Sequence, residues 1–214
     1  MSTGNGARKH PPVVLASQSP RRRSLLSEIV PDFNIVSSEA TELHDATLGP
    51  RRLCEVNAQR KAFAVAPRHP EFLVLGADTL VFLDGEPLGK PSDLAAAHAM
   101  LRRLSGRVHE VVTGVCLVHW GARRVRMFSD STRVRFRELT DENIAEYLQR
   151  VQVLDKAGSY ALQEEGHLII DAVEGSHSNV VGLPVEALRR ALDRWHEDGV
   201  PIPWTEGETF NSTL

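Results

Sequence analysis

The sequence predicts a single α/β or α+β domain with a partly antiparallel sheet. Its 214 residues, 42% hydrophobic and 25% charged, are typical of a globular chain long enough for one domain of two lobes. Short apolar runs alternate with amphipathic stretches. Two β-rich stretches, 108–120 and 125–136, are joined across Gly121 and are long antiparallel pieces that a purely doubly wound sheet would lack.

The first half of the chain predicts strands, helices and a hairpin from local signals. Ser19 suits a helix N-cap, and Pro20 suits the first helical position. Asp84-Gly85 between two apolar runs is a two-residue hairpin signal. The predicted elements are a strand at 13–16, a helix from Pro20, a strand at 33–36, a helix through 53–65 ended by Pro67 and Pro70, a strand at 72–83 and its return at 86–88.

The second half continues this alternation of strands and helices. Ser92 or Asp93 caps a helix that stops before Gly106, and Thr140 opens another with acidic residues in its first turn. The predicted elements are a helix at 94–104, strands at 108–120 and 125–136, a helix after Thr140, a polar loop at 155–163, a strand at 168–170, a loop at 175–182 and a helix from Pro184 to near Gly199. We expect a flexible leader at 1–12, a domain at 13–200 and a peripheral tail at 201–214.

Charge and cysteine content exclude several classes of protein. A net charge of −3 gives no global positive field, so we expect no nucleic-acid partner. Cys54 and Cys116 lie far apart, which fits a reduced, cytoplasmic protein better than a disulfide framework or a zinc site. The longest apolar run, 72–83, is too short to span a membrane and contains Asp78, so we expect no membrane partner either.

The segment from Ser17 to Arg22 is the first candidate site. A strand that turns into a helix N-terminus presents unpaired N–H groups to an anion, and adjacent guanidinium groups add charge and forked hydrogen bonds. Basic residues oppose the dipole at a helix start, which favours a bound anion. The alternative, a solvated basic turn, is equally compatible with these residues.

Asp78 and Lys90 form the second candidate site. Asp78 interrupts an apolar strand, where an unpaired carboxylate is costly, so it should face a polar cleft or a cation. Counting outward from Asp84-Gly85 places Thr79 opposite Lys90, which makes Lys90 a neighbour of Asp78. Such a pair would serve metal-assisted attack on a phosphate. A structural ion pair remains an equal alternative, whereas the loops at 155–163 and 175–182 are by themselves best explained as turns.

Taken together, these segments resemble the Maf family of nucleoside triphosphate pyrophosphatases. Five motifs occur in the family's order over nearly the whole chain: LASQSPRRRSLL at 15–26, GADTLVFLDGEPLGKP at 76–91, LSGRVHEVVTGV at 104–115, DKAGSYALQ at 155–163 and NVVGLP at 179–184. The resemblance implies hydrolysis of a nucleoside triphosphate to a monophosphate and pyrophosphate, with Mg²⁺ or Mn²⁺ as cofactor. It also implies a two-lobed, inosine-triphosphatase-like fold with a long mixed sheet, a cleft between the lobes and a possible homodimer.

The resemblance assigns site residues position by position. Asp78 matches the catalytic and metal-binding acid, and Glu42 matches the second acid, with Glu39 as its rival. Positions implied to bind phosphate are Ser17, Arg21, Arg22, Lys61, Lys90 and Lys156.

Three positions of the resemblance concern the choice of base. Arg21, Thr79 and Gln163 match the branch that acts on dTTP and UTP. Two other functions stay open: a nucleotide-binding regulator of cell division that does not cleave its ligand, and a purine-directed pyrophosphatase.

Overall fold

A computed structural model describes residues 10–45, 47–198 and 200–201. The predicted leader lies outside these residues up to position 9, and so do Gly199 and the tail from 202. Within the described residues, eight strands form one mixed sheet. They are β1 (Val13–Leu15), β2 (Phe33–Ile35), β3 (Leu73–Leu83), β4 (Glu86–Leu88), β5 (Val108–His119), β6 (Arg124–Phe136), β7 (Ile170–Glu174) and β8 (Val200–Pro201).

Seven α-helices accompany the sheet in the same described ranges, and three of them begin at a predicted capping residue. The Ser19 and Thr140 side chains accept backbone N–H bonds at the helix starts predicted for them, and Asp93 rather than Ser92 caps the third helix. The helices are α1 (Pro20–Ser27), α2 (Pro50–Val65), α3 (Leu94–Leu104), α4 (Asp141–Arg150), α5 (His177–Val181), α6 (Val185–Asp193) and α7 (Trp195–Asp198).

The sheet is parallel at one end and antiparallel at the other. The strand order is β2-β1-β3-β5-β6-β7, with β1 parallel to β2 and β3, and with β3, β5, β6 and β7 antiparallel in turn. The hairpin predicted at Asp84-Gly85 joins β3 to β4, because both residues adopt the positive φ that a two-residue hairpin requires. The predicted α/β fold class with antiparallel strands is therefore confirmed.

Three predicted elements differ from the structure. The strand expected at 168–170 is a 3₁₀ turn at Gly166–Leu168, and pairing with β6 begins only at Ile170. The loop expected at 175–182 contains α5, which is too short to show a helical period. The last helix is two helices, because α6 ends before Arg194 and α7 follows it.

Helix α2 packs on one face of the sheet at very short range. A Cβ at Gly76 would lie 2.2 Å from the carbonyl oxygen of Ala58, and one at Gly114 would lie 2.2 Å from the carbonyl carbon of Cys54. Gly114 pairs directly with Asp78 across β3 and β5. The absence of a side chain at 114 therefore brings the α2 backbone close to the Asp78 carboxylate.

The opposite face carries two apolar clusters with a polar row between them. One cluster joins β1, α1 and α6, and the other joins the hairpin end of β3 to α3 and α4. Along β3, Ala77 belongs to the first cluster and Val81 to the second, and Thr79 lies between them. Thr79 pairs with Thr113 of β5 across this gap. The clusters form two lobes, and a cleft opens where the apolar packing stops.

No helix in the described part of the chain is long and apolar enough to cross a membrane.

Candidate active site

The cleft has a volume of about 840 Å³ and gathers every site residue that the sequence predicted apart from Glu39. This volume suits a ligand of nucleotide size. The predicted residues that line it are Ser17, Arg21, Arg22, Glu42, Lys61, Asp78, Thr79, Lys90, Lys156 and Gln163. Glu39 is exposed and does not line the cleft, so of the two rival acids the structure brings Glu42 to the site.

The N-terminal turn of α1 forms one wall of the cleft, and serine hydroxyls fix its backbone. The Ser19 hydroxyl accepts the Arg22 N–H at 3.4 Å, and the Ser17 hydroxyl accepts the Ser19 N–H at 3.2 Å. The first turn carries no acidic residue but does carry Arg21 and Arg22. The helix dipole and two guanidinium groups therefore act together on any anion at this end.

Arg22 is held in place by residues that lie outside α1. Its Nε donates to the carbonyl oxygen of Gly182 at 2.9 Å, and its Nη2 donates to Thr79 Oγ1 at 3.0 Å. Burial lowers the pKa of Arg22, while the charges of Asp78 and Glu42 act in the opposite direction. A guanidinium ordered in this way is prepared to bind phosphate without a further loss of side-chain entropy.

Thr79 and Thr113 form the polar row under the cleft, and the donor in each of their hydrogen bonds can be assigned. Thr113, fully buried, donates its hydroxyl proton to the carbonyl oxygen of Asn179 at 3.1 Å. In the 2.9 Å hydrogen bond between Thr79 Oγ1 and Thr113 Oγ1, Thr79 is therefore the donor. Since Thr79 also accepts from Arg22, its hydroxyl offers a ligand an acceptor and no proton.

Lys61, Asp78 and Glu42 form the charged centre of the site. The Lys61 ammonium lies 2.6 Å from Asp78 Oδ1 and 2.6 Å from Glu42 Oε1, so it bridges two carboxylates. Asp78 is only 3% exposed, and this pairing explains how a carboxylate is tolerated within an apolar strand. Burial alone would raise the pKa of Glu42, but the charge and hydrogen bond of Lys61, helped by Lys90 and Arg22, hold it below its ordinary value.

Comparison with known proteins identifies the family to which this site belongs. A family model described as Maf-like protein matches residues 12–195. This chain belongs to the Maf family.

Curated relatives of the Maf chain match it over most of its length. It is 50% identical over 184 residues to a dTTP/UTP pyrophosphatase of Akkermansia muciniphila, covering 86% of this chain and 96% of the relative. Proteins of the same name from Myxococcus xanthus and Bacillus velezensis are 44% and 41% identical, covering 90% and 86% of this chain and 95% and 96% of the relatives. The Staphylococcus aureus Ham1 protein shares the fold, with a TM-score of 0.52 at 17% identity, covering 85% of this chain and 97% of the Ham1 chain.

One contact expected in the Maf site is absent from the structure. Strand β4 ends at Leu88, so the predicted register does not continue to Lys90, and the partner of Asp78 is Lys61 instead. Lys90 is exposed at the cleft wall, where its charge lowers the pKa of Glu42. The prediction was wrong because it extended a short hairpin past the point where its pairing stops.

The loop at 155–163 of the Maf chain forms the far wall of the cleft. Arg21 pairs with Asp155 at 3.1 Å, which links this wall to α1. Lys156, 7% exposed, contacts Asp155 and Glu164 at 2.9 and 3.5 Å and also donates to the carbonyl oxygen of Gln152. The loop contains a 3₁₀ turn at Ala157–Ser159, as the turn interpretation expects, and it also lines the cleft with a buried lysine that has three acceptors.

Two ring side chains fix the inner end of this wall. The Tyr160 hydroxyl lies 2.8 Å from His109 Nε2, and both rings pack edge-to-face with Phe136. Burial lowers the pKa of His109 to about 4, so this imidazole is neutral at neutral pH. Gln163, by contrast, is exposed on the cleft wall and free to adjust to a ligand.

Asn57 of α2 touches the site and was missed in the sequence. It is 1% exposed, and its Nδ2 donates to Asp78 Oδ2 at 3.1 Å. A signal was available, because an asparagine one position from Val56, on the buried face of an amphipathic helix, must find buried partners. Its partners lie far away in sequence, so no local pattern could name them.

Proposed function

We propose that this chain hydrolyses nucleoside triphosphates, dTTP and UTP in particular, to the nucleoside monophosphate and pyrophosphate. One observation carries the proposal: an anion-binding helix turn and a buried lysine with two carboxylates line the same cleft of nucleotide size. The names of the curated relatives support the substrate class.

In the proposed reaction a water molecule attacks the α-phosphorus. A new P–O bond forms to the water oxygen, the bond from the α-phosphorus to the α,β-bridging oxygen breaks, and pyrophosphate leaves. Asp78 accepts the proton of the attacking water and later returns it to solvent. The α1 turn, Arg21 and Arg22 bind the phosphate oxygens, where their fixed charge stabilises the transition state.

The lysines complete this charge stabilisation. Lys61 and Lys90 lie on the acidic side of the cleft, and Lys156 lies on the opposite wall. Pyrophosphate carries high negative charge as it departs, so cations on both sides of the α,β bond lower the barrier more than a single cation would. We propose that all three bind the phosphate chain.

A divalent cation, Mg²⁺ or Mn²⁺, fits the donor set of Asp78 and Glu42. Mg²⁺ is commonly bound by one or two carboxylates together with substrate phosphates. The described residues contain no group of three or more His, Cys, Asp or Glu side chains that could hold a metal, so substrate phosphate oxygens and water would complete the coordination. When bound, the cation neutralises charge on the phosphates and polarises the phosphorus.

Base selection is proposed for Arg21, Thr79 and Gln163. The Gln163 amide offers both a donor and an acceptor to a pyrimidine edge, and Thr79 offers an acceptor. Arg21 stands where the helix turn meets the far wall. We also propose a cytoplasmic location, which the buried free thiols of Cys54 and Cys116 support, and a homodimer, which light scattering would test.

Product analysis with a panel of nucleoside triphosphates tests the function. The purified protein is incubated with Mg²⁺ or Mn²⁺, and monophosphate, diphosphate, pyrophosphate and orthophosphate are resolved. We expect monophosphate and pyrophosphate from dTTP and UTP, and at least a ~100-fold loss of turnover in Asp78→Asn. Glu39→Gln, an exposed change outside the cleft, is the matched control for Glu42→Gln.

Three results would contradict the proposal. Release of orthophosphate with a nucleoside diphosphate would place the attack at the γ-phosphorus. Binding of every nucleotide without turnover would favour a non-catalytic regulator, and preference for purine triphosphates would favour the purine-directed alternative.

A further inference from the structure

We propose that Asn57 is a positioning residue that fixes both carboxylates of the site at once. The residue belongs to none of the motifs that define the cleft, and it does not line the cleft itself. It lies on the buried face of α2, one helical turn before Lys61. The inference rests on the proposed function, in which Asp78 and Glu42 are the two acids.

The Asn57 side-chain amide uses both of its donor hydrogens and its acceptor oxygen. Its Oδ1 accepts the N–H of Leu43 at 2.7 Å, and its Nδ2 donates to the carbonyl oxygen of Leu43 and to Asp78 Oδ2, both at 3.1 Å. Both donors and the acceptor are satisfied only in this orientation of the amide, because the reverse would direct its oxygen at the Asp78 carboxylate. The contacts therefore define how the side chain must point.

These bonds attach the segment that carries Glu42 to the helix that carries Lys61. Residues 37–45 include no helix or strand, so ladder bonds do not hold this stretch. Leu43 follows Glu42 directly, and both of its backbone polar groups are bound by one side chain. A second tie to α2, from Arg60 Nε to the carbonyl oxygen of Thr41 at 2.9 Å, is exposed to solvent.

The third bond orients the other acid. With Asp78 Oδ2 held by Asn57, Oδ1 is left facing Lys61. A single buried amide thus sets the rotation of one carboxylate and anchors the chain next to the other. Groups that orient ligating or catalytic carboxylates in this way commonly affect activity without touching the substrate.

The substitution Asn57→Leu removes all three bonds at similar volume. We expect kcat for dTTP to fall about 10- to 100-fold, and the half-saturating Mg²⁺ concentration to rise by a similar factor. KM for dTTP at saturating Mg²⁺ should change less than about threefold, because the α1 turn and its guanidiniums are unaltered. Arg60→Met, which removes the exposed tie to the same segment, is the matched control and should leave kcat and metal dependence within about twofold of the parent.

Hydrogen exchange at the Leu43 amide gives a readout that does not depend on activity. In the parent protein this N–H is donated to Asn57, and we expect its protection to fall in Asn57→Leu but to persist in Arg60→Met. Asn57→Asp keeps an acceptor for the Leu43 N–H but replaces the neutral amide beside Asp78 by a second carboxyl group, which disturbs the charge of Asp78. In that variant the amide should stay protected while kcat remains low.

Failure of the inference and failure of the proposed function give different results. If the parent protein cleaves no nucleotide, the proposed function is wrong, whatever the exchange data show. If the parent is active and a folded Asn57→Leu keeps the parent's kcat and Mg²⁺ dependence, the positioning role is overturned. Loss of folding in both Asn57 variants, judged by circular dichroism, would overturn it as well, because Asn57 would then be required for the fold and not for the chemistry.

Discussion

Removal of the Lys61 ammonium should reverse the effect of Glu42→Gln on the stability of the fold, from destabilising to stabilising. In the parent protein this group lies 2.6 Å from an oxygen of Asp78 and 2.6 Å from an oxygen of Glu42, so those oxygens are no more than twice 2.6 Å apart. Two unit charges at that separation repel by about 3 kcal/mol at an effective dielectric constant of about 20. A third of the Glu42 side chain is exposed, and screening reduces this to about 1–2 kcal/mol.

The expected values follow for each variant at pH 7. Lys61→Met leaves Asp78 buried without its cation and should destabilise the fold by about 3–5 kcal/mol. Glu42→Gln in the parent loses a partly exposed ion pair and should cost up to about 1 kcal/mol. The same Glu42→Gln added to Lys61→Met relieves the repulsion and should restore about 1–2 kcal/mol.

Urea denaturation followed by circular dichroism measures all four proteins. Glu39→Gln, exposed on the same segment, is the control and should change stability by less than about 0.5 kcal/mol in either background. Because the pKa of Glu42 is lowered in the folded state, its stabilising effect is present above its ordinary pKa of 4.5 and is lost as the pH falls further. The same sign for Glu42→Gln in both backgrounds at pH 7 would refute the reasoning.

Three further predictions concern the sheet beneath the cleft. Gly114→Ala places a Cβ 2.2 Å from the backbone of Cys54 and should lower stability by about 3 kcal/mol, seen as a lower melting temperature; an unchanged melting temperature would contradict the close packing. The pKa of His109 is lowered to about 4, so unfolding between pH 4 and 6.5 takes up a proton. Acidification over this range should therefore lower the free energy of unfolding by up to about 3 kcal/mol. This fall should be absent in His109→Gln, and an equal dependence of stability on pH in both proteins would be evidence against it. Thr113→Val removes one of the two donors to the Asn179 carbonyl, because the Gly182 N–H remains, and it also removes the acceptor of the Thr79 hydroxyl. It should cost about 1 kcal/mol in urea denaturation, whereas Thr113→Ser should cost less; equal losses would show that the hydroxyl is not the cause.

The parts of the fold that could be predicted from sequence depend on neighbours in the chain. The Ser19 cap and the Asp84-Gly85 hairpin act over two to four residues, and both were confirmed. The approach of Lys61 to Asp78 depends instead on where α2 lies on the sheet, which no local pattern encodes. For the same reason, the sequence predicted Lys90 as the neighbour of Asp78, a position that Lys61 occupies.

The residues of the candidate site could be predicted where the family resemblance names them. Nine of the ten cleft residues named from the resemblance are charged or hydroxyl-bearing, and the resemblance assigned eight of them to phosphate or metal. Asn57 is different because its role arises from three contacts between separate segments. The prediction of a strand at 168–170 was wrong for a similar reason, because pairing with β6, which is distant in sequence, determines where β7 begins.

Gly76 and Gly114, which lie under α2, matter both for the packing of the fold and for the position of the residues in the cleft. Any side chain at Gly76 or Gly114 would have to lift the helix, and the helix carries Asn57 and Lys61 with it. Relief of a 2.2 Å contact requires a shift of about 1 Å, which disturbs apolar packing and breaks hydrogen bonds of 2.6–3.1 Å. Substitutions at these glycines should therefore lower turnover as well as stability.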